Sequence, residues 1–144
     1  MIAGALTPAA AILGFALLAA TACGGGQSTS GQASSAPHCA ALAGLTGTVN
    51  DKGTTPLASV GTVILDDEYF SPTCITGASG SITLTLHNRG RLLHNFSVPD
   101  QNIDVDIAPG QTVTVMVTVG SKPVSCFCKY HRDAGQKCAL LPPT

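Results

Sequence analysis

Residues 111–119 have the sequence Gln-Thr-Val-Thr-Val-Met-Val-Thr-Val, and this stretch decides the fold class. Its valines recur at every second position, so they lie on one face of an extended chain while the threonines lie on the other. Such alternation is typical of a β-strand with one buried face. Residues 81–87, Ser-Ile-Thr-Leu-Thr-Leu-His, alternate in the same way. Pro109-Gly110 suits the centre of a type II turn before the first stretch. The chain is therefore predicted to be all-β.

Further short strands are predicted on both sides of these two stretches. They cover residues 63–65, 93–98, 103–107, 124–128 and 137–141. About seven to eight short strands in roughly 100 residues favour a β-sandwich. Phe96 and Phe127 are expected in its core. Residues 38–144 would form this domain, and no internal repeat or second domain is predicted.

Charged residues make up only 10% of the 144-residue chain, and the formal net charge is -1. The sequence has no basic stripe, which argues against nucleic acid as a partner. Six cysteines in so short a chain indicate an oxidising compartment when an export signal precedes them.

The N-terminal residues have the pattern of such a signal. Residues 1–22 contain no charged side chain, and the apolar run through residues 9–20 has the length of a signal-peptide core. The tetrapeptide Ala-Thr-Ala-Cys23 resembles a bacterial lipobox, in which Cys23 is lipidated and becomes the first mature residue. A plain transmembrane anchor and an ordinary cleaved signal remain alternatives.

Residues 23–37 are rich in Gly, Ser, Gln and Thr, and they are predicted to form a disordered tether. A flexible tether gives a membrane-anchored domain the reach that it needs. The protein is therefore expected outside the cytoplasm, lipid-anchored through Cys23 to the cell membrane, at the outer face of the plasma membrane or in the periplasm.

The segment with the most informative chemistry is residues 128–136, Cys-Lys-Tyr-His-Arg-Asp-Ala-Gly-Gln. It contains a Cys-x2-His-x4-Gln pattern, and Leu-His94-Asn95-Phe lies some thirty residues upstream. Together these motifs resemble the cupredoxin family of blue copper proteins. The resemblance extends over roughly residues 61–141.

This resemblance implies a Greek-key β-sandwich, the cupredoxin fold, that carries single electrons and is not an enzyme. One type 1 copper ion per chain would be held by His94, Cys128 and His131. Thiolate and imidazole ligands suit a copper centre that shuttles between Cu(I) and Cu(II). Gln136 would take the weak axial place, as in the stellacyanins. Asn95 corresponds to the asparagine that braces the ligand loop near the thiolate.

An axial amide oxygen is harder than a thioether and favours Cu(II). The resemblance to stellacyanins at Gln136 therefore implies a lower reduction potential than in methionine-ligated relatives.

The cysteines near this motif can be paired by geometry. Cys126 and Cys128 are two residues apart on a strand, so their side chains face the same side. If Cys128 faces Gln136 across the hairpin, Cys126 faces Cys138, close enough for a disulfide. A Cys39–Cys74 bridge would then pin the N-terminal segment to the sandwich. Four cysteines allow three pairings, and the other two stay open at this point.

The partner expected for an electron carrier is a redox protein that docks on the His131 face, with the protein as a monomer. Leu92, Ala134 and Gly135 are predicted to form the apolar rim of that face. Two other functions remain open: copper delivery or metal uptake by a cupredoxin-like lipoprotein, and protein binding by a metal-free sandwich.

Overall fold

The computed structural model describes residues 39–144. The predicted signal segment, the lipidated Cys23 and the tether therefore lie outside the described residues. Within residues 39–144, no helix has the length and apolar character needed to cross a membrane.

The described residues form one short helix and ten strands. In chain order these are α1 (Cys39–Leu42), β1 (Thr54–Pro56), β2 (Thr62–Asp66), β3 (Tyr69–Ser71), β4 (Cys74–Thr76), β5 (Gly80–Asn88), β6 (His94–Val98), β7 (Ile103–Ile107), β8 (Thr112–Val119), β9 (Val124–Phe127) and β10 (Lys137–Leu141). Single 3₁₀ turns cover Leu57–Ser59 and Pro99–Gln101.

The strands form two sheets. The larger sheet has the order β1-β4-β10-β9-β6-β7, and the smaller has the order β3-β2-β5-β8. The chain repeatedly crosses from one sheet to the other, and the pairs β1–β4, β4–β10 and β2–β5 are parallel. The prediction of an all-β sandwich is confirmed.

The core lies between the two sheets and follows the alternation in the sequence. Leu84 and Leu86 of β5 are buried, as are Val115 and Val117 of β8. On β8, Met116 faces the opposite side and is 65% exposed. Burying one face of each long strand supplies the apolar area that drives the sheets together.

An aromatic pair joins the two sheets inside the core. Phe70 of β3 and Phe96 of β6 are fully buried, with ring centroids 6.2 Å apart in an edge-to-face arrangement. Such a geometry is favourable beyond the buried area alone. It fixes β6, which carries His94, against the smaller sheet.

Two sequence predictions about the fold need correction. The structure has ten strands rather than seven to eight, because β1, β3 and β4 have only three residues each, too few to show alternation. Phe127 lies outside the core: Cys126 and Cys128 face inward, so the residue between them points outward, where the Arg132 guanidinium carbon lies 4.5 Å from its ring centroid.

Two disulfides cross-link the described residues, one between α1 and β4 and one between β9 and β10. Cys39 of α1 is bonded to Cys74 of β4, and both are buried with Ala139 and Leu141 in a second apolar cluster. Cys126 and Cys138 are directly opposite each other on β9 and β10, with Cα atoms 4.9 Å apart, and are bonded. These are the pairs that the sequence analysis favours.

Removing the Cys39–Cys74 bridge with Cys39→Ala and Cys74→Ala should lower the free energy of unfolding by about 4 kcal/mol, because the bridge closes a loop with a sequence separation of 35 residues. Chemical denaturation of oxidised protein measures the loss. Leu42→Ala, at an exposed position of the same helix, is the control and should change stability little. An unchanged denaturation midpoint in the double variant would contradict this account.

Candidate metal centre

The ligand loop, residues 128–136, joins β9 to β10 and folds back on itself. The Cys128 peptide N–H donates to the Gln136 carbonyl at 3.0 Å, which continues the antiparallel hairpin by one pair. The His131 N–H donates to the Cys128 carbonyl at 3.2 Å, and the Gln136 N–H donates to the His131 carbonyl at 3.1 Å. These bonds hold Cys128, His131 and Gln136 close together on one compact loop.

His94, the first residue of β6, completes the cluster. One potential ligand atom each from His94, Cys128 and His131 lie within 4.8 Å of one another. Cys128 Sγ is 3.5 Å from His131 Nδ1, and the two imidazole ring centroids are 5.0 Å apart. The structure therefore brings together the two histidines and the cysteine that the sequence analysis singles out.

Gln136 is oriented by hydrogen bonds at both ends of its amide. Its Nε2 donates to the Tyr69 carbonyl at 3.2 Å and to the Asp66 carbonyl at 3.4 Å. Its Oε1 lies 3.0 Å from His94 Nδ1 and 3.1 Å from His131 Nδ1. Because carbonyl oxygens only accept, the nitrogen must face the turn between β2 and β3, and the oxygen must face the imidazoles.

Burial excludes water from most of the cluster. His94, Cys128 and Gln136 are fully buried, whereas His131 is partly exposed. Burial lowers the pKa of His94, and the nearby His131 adds to this effect. A neutral imidazole is the form that binds a metal.

The Cys128 thiol is buried and lies outside the two disulfides. Burial raises its pKa, although the peptide N–H groups of Tyr130, His131 and Asn95 act in the opposite direction. Those three N–H groups would stabilise a thiolate, which is the form that binds metals. Backbone hydrogen bonds therefore partly offset the effect of burial, which alone disfavours the thiolate.

Gly90 sets the position of the His94 ring. A Cβ on Gly90 would lie 2.8 Å from His94 Nε2, so only glycine allows this approach. His94 Nε2 is buried without a hydrogen-bond partner among the described residues, while Nδ1 faces Gln136 and the cluster. No sequence pattern marks Gly90 for this role, because its approach to the His94 ring depends on how the chain folds between the two residues.

The asparagine after His94 anchors the ligand loop through a charged network. Asn95 Nδ2 donates to Asp104 at 2.6 Å and to Asp106 at 2.9 Å, and its Oδ1 accepts the Lys129 N–H at 3.3 Å. Lys129 Nζ contacts both carboxylates, at 2.8 and 2.9 Å, and the Tyr130 hydroxyl donates to Asp106 at 2.8 Å. The network joins β6 and β7 to the residues between Cys128 and His131.

Asp104 and Asp106 belong to no motif of the sequence-based prediction. Their spacing of two residues on β7 puts both carboxylates on one face, which was the available signal. His87 lies outside the cluster, and its Nδ1 is 2.9 Å from Thr112 Oγ1 on the adjacent strand.

The residues present fit a copper ion. Two imidazole nitrogens, one free thiol and one amide oxygen converge, which is the donor set of a trigonal His2Cys site with a weak oxygen ligand. When an imidazole nitrogen and a thiolate sulfur bind one metal ion, with bonds of about 2.0 Å and 2.3 Å, the two ligand atoms lie roughly 3.5–4 Å apart. The distance of 3.5 Å between His131 Nδ1 and Cys128 Sγ agrees with this separation.

No protein-family model matches the chain, and no curated protein matches it in sequence. The solved structures to which the chain is similar include three of different kinds. A mutant plastocyanin of fern is 18% identical, with 58% of this chain and 100% of that chain covered and a TM-score of 0.44. A purple cupredoxin from Nitrosopumilus maritimus is 14% identical, with 59% and 100% covered and a TM-score of 0.45.

The third is the metal-binding domain, with Cu(I), of a Cu(I)-exporting P-type ATPase from Streptococcus pneumoniae D39. It is 12% identical, with 69% of this chain and 94% of that chain covered and a TM-score of 0.49. These are likenesses only, and the fold of this chain is described from its own two sheets. At these identities and TM-scores, the chemistry of the site rests on its own residues.

Asp106 should titrate well below an ordinary aspartate. Hydrogen bonds from Lys129, Tyr130 and Asn95 lower its pKa to about 2. A folded-state pKa below the unfolded value of about 3.9 means that the network stabilises the fold above pH 4 and loses this effect as the pH falls towards 2. A carboxyl ¹³C NMR titration should show a midpoint near 2, and Lys129→Met should raise it.

Asp66 serves as the internal reference for that titration. Its pKa is lowered by the Asp67 N–H and by Arg89, so Lys129→Met should leave its midpoint unchanged. A midpoint near 4 for Asp106 in the unsubstituted protein would show that the network does not form in solution.

Proposed function

We propose that this protein carries single electrons through one mononuclear type 1 copper ion held by His94, Cys128 and His131, with Gln136 as the weak axial ligand. The observation that carries this proposal is the convergence of these four groups around a thiol that is excluded from disulfides. When bound, copper would supply the reversible one-electron couple.

The chain's own contribution is rigidity. Cys128 and Gln136 belong to a hairpin closed by the Cys126–Cys138 bond, and His94 belongs to a strand whose five residues are all buried. Groups fixed in this way cannot follow a change in preferred geometry between oxidation states. A ligand set that does not rearrange suits rapid electron transfer, because little reorganisation accompanies each step.

Burial favours a carrier over a copper-delivery protein. Delivery requires ligands that a partner can reach and replace, yet His131 alone of the four residues has appreciable exposure. An electron needs only a short path to the surface, and the His131 imidazole supplies one.

A redox partner is proposed to dock on the face around His131. The Tyr130 ring lies 6.4 Å from the His131 ring, centroid to centroid, and is 47% exposed. Leu92 and Leu93, which precede His94 in the chain, are 51% and 43% exposed and are proposed to extend this face. Ala134 is exposed as well. Gly135 was expected in the rim but is buried against Asn50. A small apolar patch fits the brief and weak contacts of electron carriers.

The lipid anchor at Cys23 and the tether of residues 23–37 complete the proposal, and they rest on the sequence. An anchored monomer outside the cytoplasm would meet its redox partner at the membrane surface. The two disulfides fit an oxidising compartment of this kind.

The full chain loaded with Cu(II) should show an intense visible band from thiolate-to-copper charge transfer, and Cys128→Ser should abolish it. His94→Gln should weaken or shift the band. His87→Gln is the matched control, because His87 contacts Thr112 outside the site, and it should leave the spectrum unchanged. A band that persists in Cys128→Ser, or no band in the unsubstituted protein, would overturn the proposal.

A second measurement separates the carrier from a delivery protein. Rapid, reversible reduction of the copper-loaded protein supports electron transfer, whereas transfer of copper to an apo-protein acceptor on a similar timescale supports delivery.

Gln136→Met should raise the reduction potential, because a thioether stabilises Cu(I) better than an amide oxygen does. Protein-film voltammetry measures the shift. Gln111→Met is the matched control, since the Gln111 amide accepts from the Ala108 N–H in a turn outside the ligand set. An unchanged or lower potential in Gln136→Met would show that Gln136 is not an axial ligand.

A further inference from the structure

A strap of chain, residues 46–53, crosses the ligand loop between α1 and β1. Asn50 of this strap binds two separate elements at once. Its peptide N–H donates to the Gly135 carbonyl at 3.0 Å, and its side-chain Nδ2 donates to the Ala134 carbonyl at 2.9 Å. The same Nδ2 donates to the Glu68 carbonyl at 2.8 Å, in the turn between β2 and β3.

Gln136 joins the same two elements. Its backbone belongs to the ligand loop, and its Nε2 donates to the carbonyls of Asp66 and Tyr69 on either side of Glu68. Two amide side chains therefore run as parallel links between one turn and one loop. If the distance between the turn and the ligand loop changes, the Gln136 amide, which is bound to the turn, must move relative to the Gln136 backbone, which belongs to the loop.

The contact between strap and loop leaves no free space. Gly135 has a φ of +106°, and a Cβ there would lie 3.0 Å from both Asn50 Nδ2 and Thr48 Cγ2. The loop backbone just before Gln136 therefore packs directly against the strap. Any shift of Asn50 is transmitted to the residue that carries the axial oxygen.

The strap itself is anchored on both sides of Asn50. The hydroxyl of Thr73, a buried residue, accepts the Lys52 N–H at 2.7 Å and lies 3.3 Å from the Asn50 carbonyl. Lys137 Nζ donates to the Thr46 carbonyl at 2.6 Å. Asn50 is thus a fixed point, and its hydrogen bonds position the loop rather than follow it.

The geometry points to Asn50 as the positioning residue for the axial oxygen of Gln136, a role that rests on the copper site proposed above. Asn50 does not touch the ligand atoms. It holds the Ala134 and Gly135 carbonyls at a set distance from the turn that binds Gln136 Nε2. Its effect on the metal is therefore exerted through Gln136.

The test compares Asn50→Ala with Gln101→Ala in the full chain. Gln101 is a matched control: its amide also makes two backbone hydrogen bonds, to the Thr118 carbonyl and from the Thr118 N–H, each 2.8 Å, at the edge of β8. Asn50→Ala should weaken Cu(II) binding by about 10–100-fold and change the paramagnetic-resonance spectrum. Gln101→Ala should change neither, whatever its effect on thermal stability.

A double variant isolates the route through Gln136. In a Gln136→Leu background, where the axial oxygen is gone, Asn50→Ala should produce no further spectral change, because coupled residues are not additive. A wild-type spectrum and affinity in Asn50→Ala would overturn the inference. So would an effect of Asn50→Ala that is undiminished in the Gln136→Leu background.

A metal-free measurement separates this inference from the proposed function. If the unsubstituted protein shows no copper–thiolate band, the proposed function fails, yet the positioning role can still be tested by NMR. The Gln136 side-chain amide protons should exchange slowly in the unsubstituted protein and in Gln101→Ala, and faster in Asn50→Ala. Equal exchange in all three would overturn the positioning role.

A second substitution covers the case in which Asn50→Ala does not fold. Asn50→Asp keeps the size of the side chain but cannot donate to the Glu68 and Ala134 carbonyls. It should therefore reproduce the faster exchange of the Gln136 amide and the weaker binding of Cu(II). Exchange and binding at wild-type levels in Asn50→Asp would overturn the inference equally.

Discussion

The antiparallel register of β9 and β10 is the constraint on which the site depends. Cys126 lies opposite Cys138 and is bonded to it, so the next pair on the same face, Cys128 and Gln136, must also meet across the hairpin. The loop between them is then long enough to bring His131 back over Cys128. The disulfide thus fixes the register that places the backbones of Cys128 and Gln136 opposite each other at the mouth of the hairpin.

Supports from outside the hairpin turn this proximity into a defined donor set. Phe96, locked against Phe70 across the core, fixes the strand that presents His94. The carboxylates of Asp104 and Asp106 hold the stretch between Cys128 and His131 from the other side. Each donor is therefore constrained by an element that does not depend on the metal. Such preorganisation is what a centre with low reorganisation energy requires.

The sequence allowed the long strands to be predicted from their alternation, and the clustering of His94, Cys128 and His131 from the resemblance of their motifs to cupredoxins. Alternation marks β5 and β8, and the spacing of Cys128, His131 and Gln136 marks the loop. The short strands could not be predicted, since three residues cannot show a period of two.

Asn50 left no local signal at all. Its partner Ala134 is 84 residues away, and the contact is to a backbone carbonyl, which every residue type possesses. The prediction that Phe127 lies in the core was wrong for a different reason. It relied on the aromatic side chain, whereas alternation along the strand puts Phe127 on the face opposite to Cys126 and Cys128, which are in the core. Contacts made by main-chain atoms across the fold are the part of the site that a linear pattern does not record.

The same-face arrangement of Cys126 and Cys128 also constrains how the chain matures. Sliding β9 by two residues along β10 would bring Cys128 opposite Cys138, and oxidation in that register would consume the sulfur that the proposed copper site needs. Correct maturation therefore requires the hairpin to settle its alignment before its thiols are oxidised, or a thiol–disulfide exchange that repairs the mistake.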